Sequence, residues 1–328
     1  MTRTLMTGPL AALLVLGACG TAAVPALAQS YPSRTITIVT PAPAGGVTDT
    51  IGRALAQRFS KAWGQQAVVE NKPGANNQLA AEYIANQPPD GHALFVAPDG
   101  TFVANPSLYP KLPYDPDKDF TPITGLVRIN HAFIVNPSLP VETVKDVIEL
   151  GRKKPGELNY GTFGIGSSGH LNMALLENMT GIKLQAVHYK GAAPATNDVV
   201  AGHIPIMFVS AGSGAPLWKA DKIKYLAIGG TKRLPQLPDI PTVAETVPGY
   251  EGVSWFGLFG PAGMPAETVA KINGEIRALF ADPEFQKSFV ERFMFQPIVG
   301  SPEELTAFVR KEEPKWRKII ADAKIKVE

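Results

Sequence analysis

The residues best placed for chemistry lie in a glycine-rich loop at 164–169, GIGSSG, which has the spacing G-x-G-x-x-G. The loop follows a short predicted strand at Asn159-Tyr160 and opens a predicted helix over residues 170–179. This is the setting of a dinucleotide-binding loop, whose backbone approaches a pyrophosphate. However, the next predicted strand, residues 184–189, ends at Lys190 and offers no acidic residue for a ribose hydroxyl. A nucleotide site is therefore the weaker interpretation.

A glycine-rich turn that leads into a helix can also bind an anion that is not a nucleotide. The first amide groups of a helix have no intrahelical acceptor, and the positive end of the helix dipole attracts negative charge. Ser167 and Ser168 add hydroxyl donors at this position. A single loop of this kind is equally well explained as a plain helix cap, so the anion interpretation needs further support.

Three other donor-rich loops supply that support. Residues 41–49, PAPAGGVTD, precede the first predicted helix, where Thr48 is a candidate N-cap and Asp49 lies near the positive helix end. Residues 71–77, NKPGANN, and residues 210–213, SAGS, each follow a later predicted strand. Two helix N-termini, one in each half of the chain, could hold the two ends of a dicarboxylate.

Other kinds of reactive site find little support. The five histidines show no H-x-x-x-H or H-x-E-x-x-H spacing, so they predict no metal site. His170 is a candidate ligand contact or a helix-capping residue. None of Ser167, Ser168 and Ser213 has both glycines of G-x-S-x-G, the motif around many hydrolase nucleophiles. We therefore predict no metal, no cofactor and no catalytic residue.

Composition sets the broad class of protein. The chain has 328 residues, of which 45% are hydrophobic and 18% charged, so it can bury a large core. Its 31 basic and 29 acidic residues leave a formal charge of +2, which gives no strong field for nucleic acid or an anionic membrane. The single cysteine, Cys19, excludes an intramolecular disulfide and a cysteine-based metal cluster.

The first 28 residues have the pattern of an export signal. Arg3 is followed by an apolar run at 10–18 and by Ala26-Leu27-Ala28, an A-x-A cleavage signal. The run is about half the length that a membrane span requires. We therefore predict a soluble periplasmic protein cleaved after Ala28. The alternative is a lipoprotein acylated at Cys19, because residues 16–19, LGAC, fit a lipobox.

The remainder of the chain alternates predicted strands and helices, the pattern of an α/β fold with mostly parallel strands. A strand, a glycine-rich turn, a helix and a strand follow one another over residues 34–69, and the same order recurs in the middle of the chain. After residue 252 an apolar run precedes two long amphipathic helices, the second beginning at a capping box at Ser301. Two α/β blocks without a linker predict lobes joined by crossing strands, with a cleft suited to a small ligand.

Six short motifs are spread along the chain in this order: YPSR at 31–34, PAGG at 43–46 with Asp49, VENKPGA at 69–75, PDG at 89–91, YKG at 189–191 and PDIPT at 238–242. Together they resemble the Bug-type extracytoplasmic solute receptors of tripartite tricarboxylate transporters. The resemblance implies a type II periplasmic-binding-protein fold of two α/β lobes, the first formed by residues 29–128 and 253–328 and the second by residues 129–252. It also implies capture of a small carboxylate, such as a di- or tricarboxylate, an amino acid or an aromatic acid, without catalysis.

The resemblance also implies which residues contact the ligand. Departures from the family pattern at Asn76-Asn77 and at residues 210–214 leave the identity of the carboxylate open. An aromatic ligand could stack on Phe102, Phe163, Trp218 or Trp255, which otherwise belong to the core or the rim. The implied contacts are Ala44, Gly45 and Gly46, with Asp49 ordering their loop, then Gly166, Ser167, Ser168 and His170, and at the wall of the site Asn76, Asn77, Thr101, Tyr189, Asp198 and Ser213.

We therefore expect a monomeric periplasmic solute-binding protein that delivers a small carboxylate to the membrane subunits of a tripartite tricarboxylate-type transporter and binds no nucleic acid. Two alternatives share the same cleft. One is an exported hydrolase or oxidoreductase that acts on a small carboxylate. The other is a receptor that signals to a membrane sensor.

Overall fold

Strands and helices alternate through the part of the chain that the computed structural model describes, which is residues 1, 2, 31–325 and 327. The predicted export signal, its cleavage site after Ala28 and the alternative lipidation site at Cys19 lie outside the described residues. Among the described residues, no helix is both long and apolar enough to cross a membrane.

Ten strands between residues 31 and 325 form one hydrogen-bonded sheet. They are β1 Ile36–Thr40, β2 Ala67–Asn71, β3 Ala93–Pro98, β4 Phe120–Val135, β5 Asn159–Thr162, β6 Gln185–His188, β7 Ile206–Ser210, β8 Lys224–Ile228, β9 Val253–Pro261 and β10 Phe295–Pro297.

Helices cover both faces of this sheet, and most of them connect one strand to the next. They are α1 Val47–Trp63, α2 Gln78–Ala85, α3 Asn105–Leu108, α4 Val144–Lys153, α5 Ser168–Thr180, α6 Ala192–Ala201, α7 Ala211–Lys219, α8 Val243–Thr246, α9 Ala266–Ala281, α10 Pro283–Phe285 and α11 Pro302–Asp322.

The sheet has two halves with the same strand order. In the first half β1 pairs in parallel with β2 and β3, and β9 and then β4 follow β3 as antiparallel neighbours. In the second half β5 pairs in parallel with β6 and β7, and β4 and then β8 follow β7 as antiparallel neighbours. Strand β4 pairs with β9 as far as Asn130 and with β7 from His131 onwards. The predicted α/β architecture with crossing strands is confirmed.

Side chains of β4 alternate between two cores, as the pleat of a strand requires. Ala132 and Ile134 pack with apolar residues of α6 and α7. Phe133 and Val135 point to the other face and pack in a cluster that includes residues of α5 and α11. Because β4 is continuous through both halves, the lobe boundaries at 128/129 and 252/253 fall inside or beside crossing strands and stay a prediction.

Two predicted helix starts had different outcomes. The capping box at the start of α11 is confirmed, because the Ser301 hydroxyl accepts from the Glu304 amide at 3.2 Å and the Glu304 carboxylate accepts from the Ser301 amide at 2.7 Å. The prediction that Thr48 caps the first helix is wrong. Gly46 is the N-cap of α1, and Thr48 is already the second helical residue, too far along for its hydroxyl to serve that position.

The first turn of α7 lies against the C-terminal part of the chain. A Cβ atom built on Gly212 would lie 2.1 Å from the carbonyl oxygen of Phe293. The next residue, Met294, is buried in the core formed by α6 and α7. The absence of a side chain at Gly212 therefore allows two backbone segments to meet.

We predict that Gly212→Ala lowers the free energy of unfolding by about 1–3 kcal/mol, because the new methyl group meets backbone rather than a movable side chain. Denaturant unfolding measures this change. The matched control is Gly274→Ala in α9, where the added Cβ would meet nothing within 4 Å. The control should be neutral or stabilising by up to about 1 kcal/mol. Equal stability of the two variants would contradict the close approach.

Candidate functional site

Polar side chains gather at the carboxyl ends of the parallel strands in both halves of the sheet. Ligands of α/β proteins bind beyond this edge, where the loops leading into the helices lie. The residues at or just after these strand ends are Thr40, Asn71 and Asp99 in the first half and Thr162, His188 and Ser210 in the second.

Asp49 holds the first glycine loop in place. One oxygen of its carboxylate accepts from the Gly45 amide at 2.9 Å and from Arg53 Nε at 2.8 Å, and the other accepts from Asn71 Nδ2 at 2.9 Å. Asn71 Nδ2 also donates to the carbonyl oxygen of Ala42 at 2.9 Å. This network ties the loop to the end of the neighbouring strand β2.

The charge of Asp49 is kept although the residue is only 2% exposed. Burial by itself would raise the pKa of the carboxyl, but the hydrogen bonds from Arg53, the Gly45 amide and Asn71 outweigh burial and lower the pKa below its usual range. Both oxygens of the Asp49 carboxylate therefore already accept hydrogen bonds from the loop, from Asn71 and from Arg53.

The amide groups of the two loop glycines are also occupied. Gly45 donates to Asp49, and the Gly46 amide donates to the Pro43 carbonyl at 3.0 Å. By contrast, the amides of Val47 and Thr48 have no acceptor among the described residues. The donors free to meet an anion at this loop are thus those of the first helical turn, while Ala44 and Gly45 form its exposed tip.

The second glycine loop is ordered by the same device. The Gly166 amide donates to His170 Nδ1 at 3.0 Å, so the third residue of α5 accepts from a glycine four residues earlier, as Asp49 does for Gly45 in α1. Ser167 caps α5, since its hydroxyl oxygen accepts from the His170 amide at 3.4 Å and donates to the Gly164 carbonyl at 2.7 Å. His170 is thus buried and shapes the loop.

Ser168, the remaining residue predicted on this loop, contacts a histidine from the crossing strand. Its hydroxyl lies 3.3 Å from His131 Nε2. The ring of His131 also stacks on Phe163, with 6.3 Å between ring centroids. Burial lowers the pKa of His131 to about 4, and burial together with the nearby His188 lowers the pKa of His170 to about 4. Both imidazoles are therefore neutral at neutral pH.

The two halves of the chain meet at the second glycine loop. Gly166 has a φ of 73°, and a Cβ built on it would lie 2.2 Å from Leu108 Cδ1 and 3.1 Å from Asn76 Nδ2. Asn76 is itself held by Asn105, which accepts from Asn76 Nδ2 at 2.7 Å and donates to its carbonyl at 2.8 Å. The structure thus brings Asn76 and Gly166 together.

Three consecutive residues before α2 have a left-handed backbone, with φ of 45° at Ala75, 47° at Asn76 and 73° at Asn77. Residues with a side chain rarely adopt this conformation, and asparagine tolerates it better than most. Thr101, predicted with them, is wholly buried after β3, and its hydroxyl has no hydrogen-bond partner among the described residues.

The other predicted wall residues are placed differently. Tyr189 stands beside the second loop, because its amide donates to the Thr162 carbonyl at 3.0 Å, but its hydroxyl donates to Asp198 at 2.6 Å. Ser213 lies exposed on α7. Ser210, at the end of β7, is the serine of that loop that is buried near the strand ends.

The aromatic side chains considered as stacking partners belong mostly to the core. Phe102 stacks on Phe259 with ring centroids 4.2 Å apart, and Trp255 is buried in the same cluster. Trp218 stacks on Tyr225 at 5.2 Å. Phe163 is the one of the four that stands in the second glycine loop, against His131.

Two cavities, of about 300 Å³ and about 520 Å³, lie away from the glycine loops. The first is lined by residues that include Gly125, Ile298 and Phe308, and the second by Met264 and Asn273 among others. Among the described residues, no group of three or more histidine and acidic side chains is placed to hold a metal ion. The polar edge of the sheet is therefore the candidate site.

Comparison with known sequences identifies the class of protein. A family model described as tripartite tricarboxylate transporter family receptor matches residues 51–325. A UPF0065 protein from the tcbD-tcbE intergenic region of Pseudomonas sp. strain P51 is 32% identical over 90% of this chain and 88% of its own length. Protein BugT of Bordetella pertussis is 27% identical over 98% of this chain and 99% of its own. The chain belongs to this receptor family, so the resemblance to Bug-type receptors is confirmed.

Solved structures agree with this assignment. Rpa4515 of R. palustris with adipate has a TM-score of 0.87 and 36% identity, covering 90% of this chain and 100% of that one. The periplasmic binding protein BugD has a TM-score of 0.83 and 32% identity over the same shares. MatC of Rhodopseudomonas palustris with bound malate has a TM-score of 0.81 and 30% identity, covering 88% and 100%. The predicted periplasmic-binding-protein fold is confirmed.

The neutral, buried His131 predicts how stability depends on pH. An unfolded chain protonates histidine near a pKa of about 6.5, whereas the folded protein protonates His131 only near a pKa of about 4. Between these values the unfolded state binds more protons, so the contribution of His131 to stability falls as the pH falls. The contribution is fully present above the unfolded pKa.

We predict that the stability difference between the ligand-free wild type and His131→Gln changes by about 2 kcal/mol between about pH 7 and about pH 5, to the disadvantage of the wild type. Urea unfolding at the two pH values measures the difference. The control is His203→Gln, since the His203 side chain is 72% exposed. The stability difference between the wild type and His203→Gln should change by less than about 0.5 kcal/mol over the same pH interval. A pH-independent effect of His131→Gln would contradict a neutral buried ring.

Proposed function

We propose that this protein captures a small carboxylate between its two lobes and delivers it to the membrane subunits of a tripartite tricarboxylate-type transporter. Membership of the receptor family supports the role, and the adipate and malate named with Rpa4515 and MatC support the ligand class. The observation that carries the proposal is the contact of the second glycine loop with Asn76 and Leu108 of the first half. A ligand held by both loops would join the two lobes.

Neutral hydrogen-bond donors would hold the carboxylate. No lysine or arginine among the described residues is buried, so the site has no buried cation to neutralise the ligand. The free amides of Val47 and Thr48 and the positive ends of α1 and α5 favour an anion instead. Such donors are already oriented, so little reorganisation opposes binding.

The proposed contacts follow from these loops. Ala44, Gly45 and Gly46 would surround the ligand at the first loop with Asp49 behind them, and the second loop would close from the other side. Because Gly45 and Gly46 use their amides internally, their part is to shape the loop and leave room for the ligand. The remaining proposed contacts are Asn76, Asn77, Thr101, Gly166, Ser167, Ser168 and His170, with Tyr189, Asp198 and Ser213 at the outer wall.

Closure of the lobes would be driven by the ligand. The lobes would be residues 29–128 with 253–328, and residues 129–252, moving about the crossing strands β4 and β9. A ligand shifts such an equilibrium only by binding the closed form better than the open form. Contacts from both glycine loops to one carboxylate provide that difference.

A binding role without catalysis fits the serines and histidines of the site. Ser168 and His131 are 3.3 Å apart, which is the arrangement of a nucleophile and a base. However, His131 Nδ1 has no carboxylate to orient the ring, and a pKa of about 4 makes the imidazole a weak base near neutral pH. The Ser167 hydroxyl donates its hydrogen bond to the Gly164 carbonyl, so it is not paired with a base.

Titration calorimetry of the purified protein with adipate, malate and a panel of other small carboxylates tests the proposal. We predict that Gly166→Ala weakens the binding of any carboxylate in the panel by about tenfold or more, a cost of about 1.4 kcal/mol. The added methyl group would lie 2.2 Å from Leu108 Cδ1 and 3.1 Å from Asn76 Nδ2. Because Leu108 is only 4% exposed, its side chain has little space in which to move aside, so the methyl group would oppose the close approach of the two halves.

The matched control is Gly181→Ala at the other end of α5. Gly181 has a φ of 71°, close to the 73° of Gly166, but a Cβ there would meet nothing within 4 Å. The control therefore carries the same backbone strain without the contact between halves. Equal affinity of the two variants would contradict closure at Gly166. Failure of the wild type to bind any carboxylate would overturn the proposed function.

A further inference from the structure

His131 and Ser210 face each other on neighbouring strands at the point where β4 enters the second half of the sheet. They are direct partners in the antiparallel pairing of β4 with β7. Directly opposed residues of antiparallel strands place their side chains on the same face, with Cβ atoms about 4.5–5.5 Å apart. The next pair on that face, Phe133 and Phe208, stacks at 4.7 Å in the core that includes α5. His131 and Ser210 therefore stand side by side under the second glycine loop.

Both side chains are buried and incompletely paired. His131 is 4% exposed and Ser210 is 7% exposed. Among the described residues, neither His131 Nδ1 nor the Ser210 hydroxyl has a hydrogen-bond partner. Leaving a buried polar atom unpaired destabilises a protein, because the atom has lost its hydrogen bonds to water without replacing them. Two such atoms on adjacent strands indicate a partner that is not part of the chain.

The surroundings define which edge of the His131 ring is available. Its Nε2 edge lies against the Ser168 hydroxyl at 3.3 Å, and Phe163 stacks on its face. The Nδ1 edge is the one left free. If the Ser168 hydroxyl donates to Nε2, the neutral ring carries its proton on Nδ1 and presents an N–H donor.

The Ser210 hydroxyl is likewise unused by the helix that follows it. It is the N-cap residue of α7, a position where serine normally accepts from the first helical turn, yet its side chain makes no capping bond. The N-terminus of this nine-residue helix thus lies beside the unpaired Ser210 hydroxyl and the free Nδ1 edge of His131. A ring N–H, a hydroxyl and a helix N-terminus together form a set of donors with no cation.

We propose that His131, Ser210 and the N-terminus of α7 form a subsite for the second carboxylate of a dicarboxylate ligand. The proposal rests on the proposed function, because it assumes that the first carboxylate is held at the glycine loops. It assigns a specificity role to His131 and Ser210, neither of which is among the ligand contacts that the family resemblance implied. Neutral donors suit a carboxylate oxygen and would discriminate against a methyl group at the same position.

The subsite is tested with pairs of acids in which one member has a methyl group in place of the second carboxylate. Adipate is compared with hexanoate, and malate with 2-hydroxybutyrate, by titration calorimetry of the full protein. Wild type should bind at least one dicarboxylate more tightly than its monocarboxylate partner. His131→Phe and Ser210→Ala should each weaken that dicarboxylate by about tenfold, the loss of one hydrogen bond, while changing the monocarboxylate by less than about twofold.

The control variant is His92→Phe. His92 is 5% exposed, as buried as His131, but it precedes β3 at the opposite edge of the sheet. It should leave the affinity for both acids unchanged. If His131→Phe fails to fold, as judged by circular dichroism, the Ser210→Ala result alone decides, because this change removes a single oxygen atom.

Four results would overturn the subsite and are distinguishable from one another. Equal weakening of both acids would mean that His131 and Ser210 only shape the cleft. No weakening of either acid would mean that the ligand does not reach them. If the wild type bound monocarboxylates as tightly as dicarboxylates, the subsite would be disproved but the proposed function would not. If the wild type bound no carboxylate, both the subsite and the proposed function would be disproved.

Discussion

The continuity of strand β4 is the constraint on which the rest of the structure depends. Between Asn130 and His131 this strand exchanges its partners, β9 and β10, for β7 and β8, without a break in its own backbone. Its side chains pack in hydrophobic cores on both faces of the sheet. Any motion of one half against the other must therefore twist β4 and its neighbour β9. The same connection sets the distance between the two carboxyl edges at which the donor loops lie.

Each glycine loop is then shaped by the helix that follows it. In both halves the third helical residue reaches back four positions and accepts a glycine amide, Asp49 from Gly45 and His170 from Gly166. The acceptors differ in charge, and the difference has a physical consequence. Asp49 is compensated by Arg53 and Asn71, whereas His170 is neutral because burial depresses its pKa. Neither loop places an uncompensated negative charge where an anionic ligand would lie.

Much of this organisation follows from local sequence rules. Periodicity and glycine position predicted the alternating strands and helices, and the capping box at Ser301 marked the start of α11. What could not be predicted is how hydrogen bonds are shared after folding. Gly45 appears in the sequence as a free donor, but its amide is taken by Asp49. Likewise Ser210 is buried at the end of β7, whereas Ser213 is exposed on α7. The pairing of β7 with β4 sets the face of the sheet that Ser210 occupies, and the packing of α7 leaves Ser213 on its exposed face. His131 carries no motif, and only tertiary pairing reveals it.

No lysine or arginine is buried in the part of the chain that the structure describes, and this connects the fold to the proposed binding mode. A buried lysine or arginine without a partner would carry a desolvation cost in the empty site and would favour an open, hydrated cleft. Backbone amides, hydroxyls and neutral imidazoles carry a smaller desolvation cost, so they can line a surface at which the two halves approach as closely as they do at Gly166 and Leu108. In the proposed binding mode, directional hydrogen bonds from these donors would supply the binding energy, and they would strengthen as closure of the lobes removed water. Selectivity among acids would then depend on the positions of neutral donors, and the register of β4 with β7 places two residues that carry such donors, His131 and Ser210, side by side.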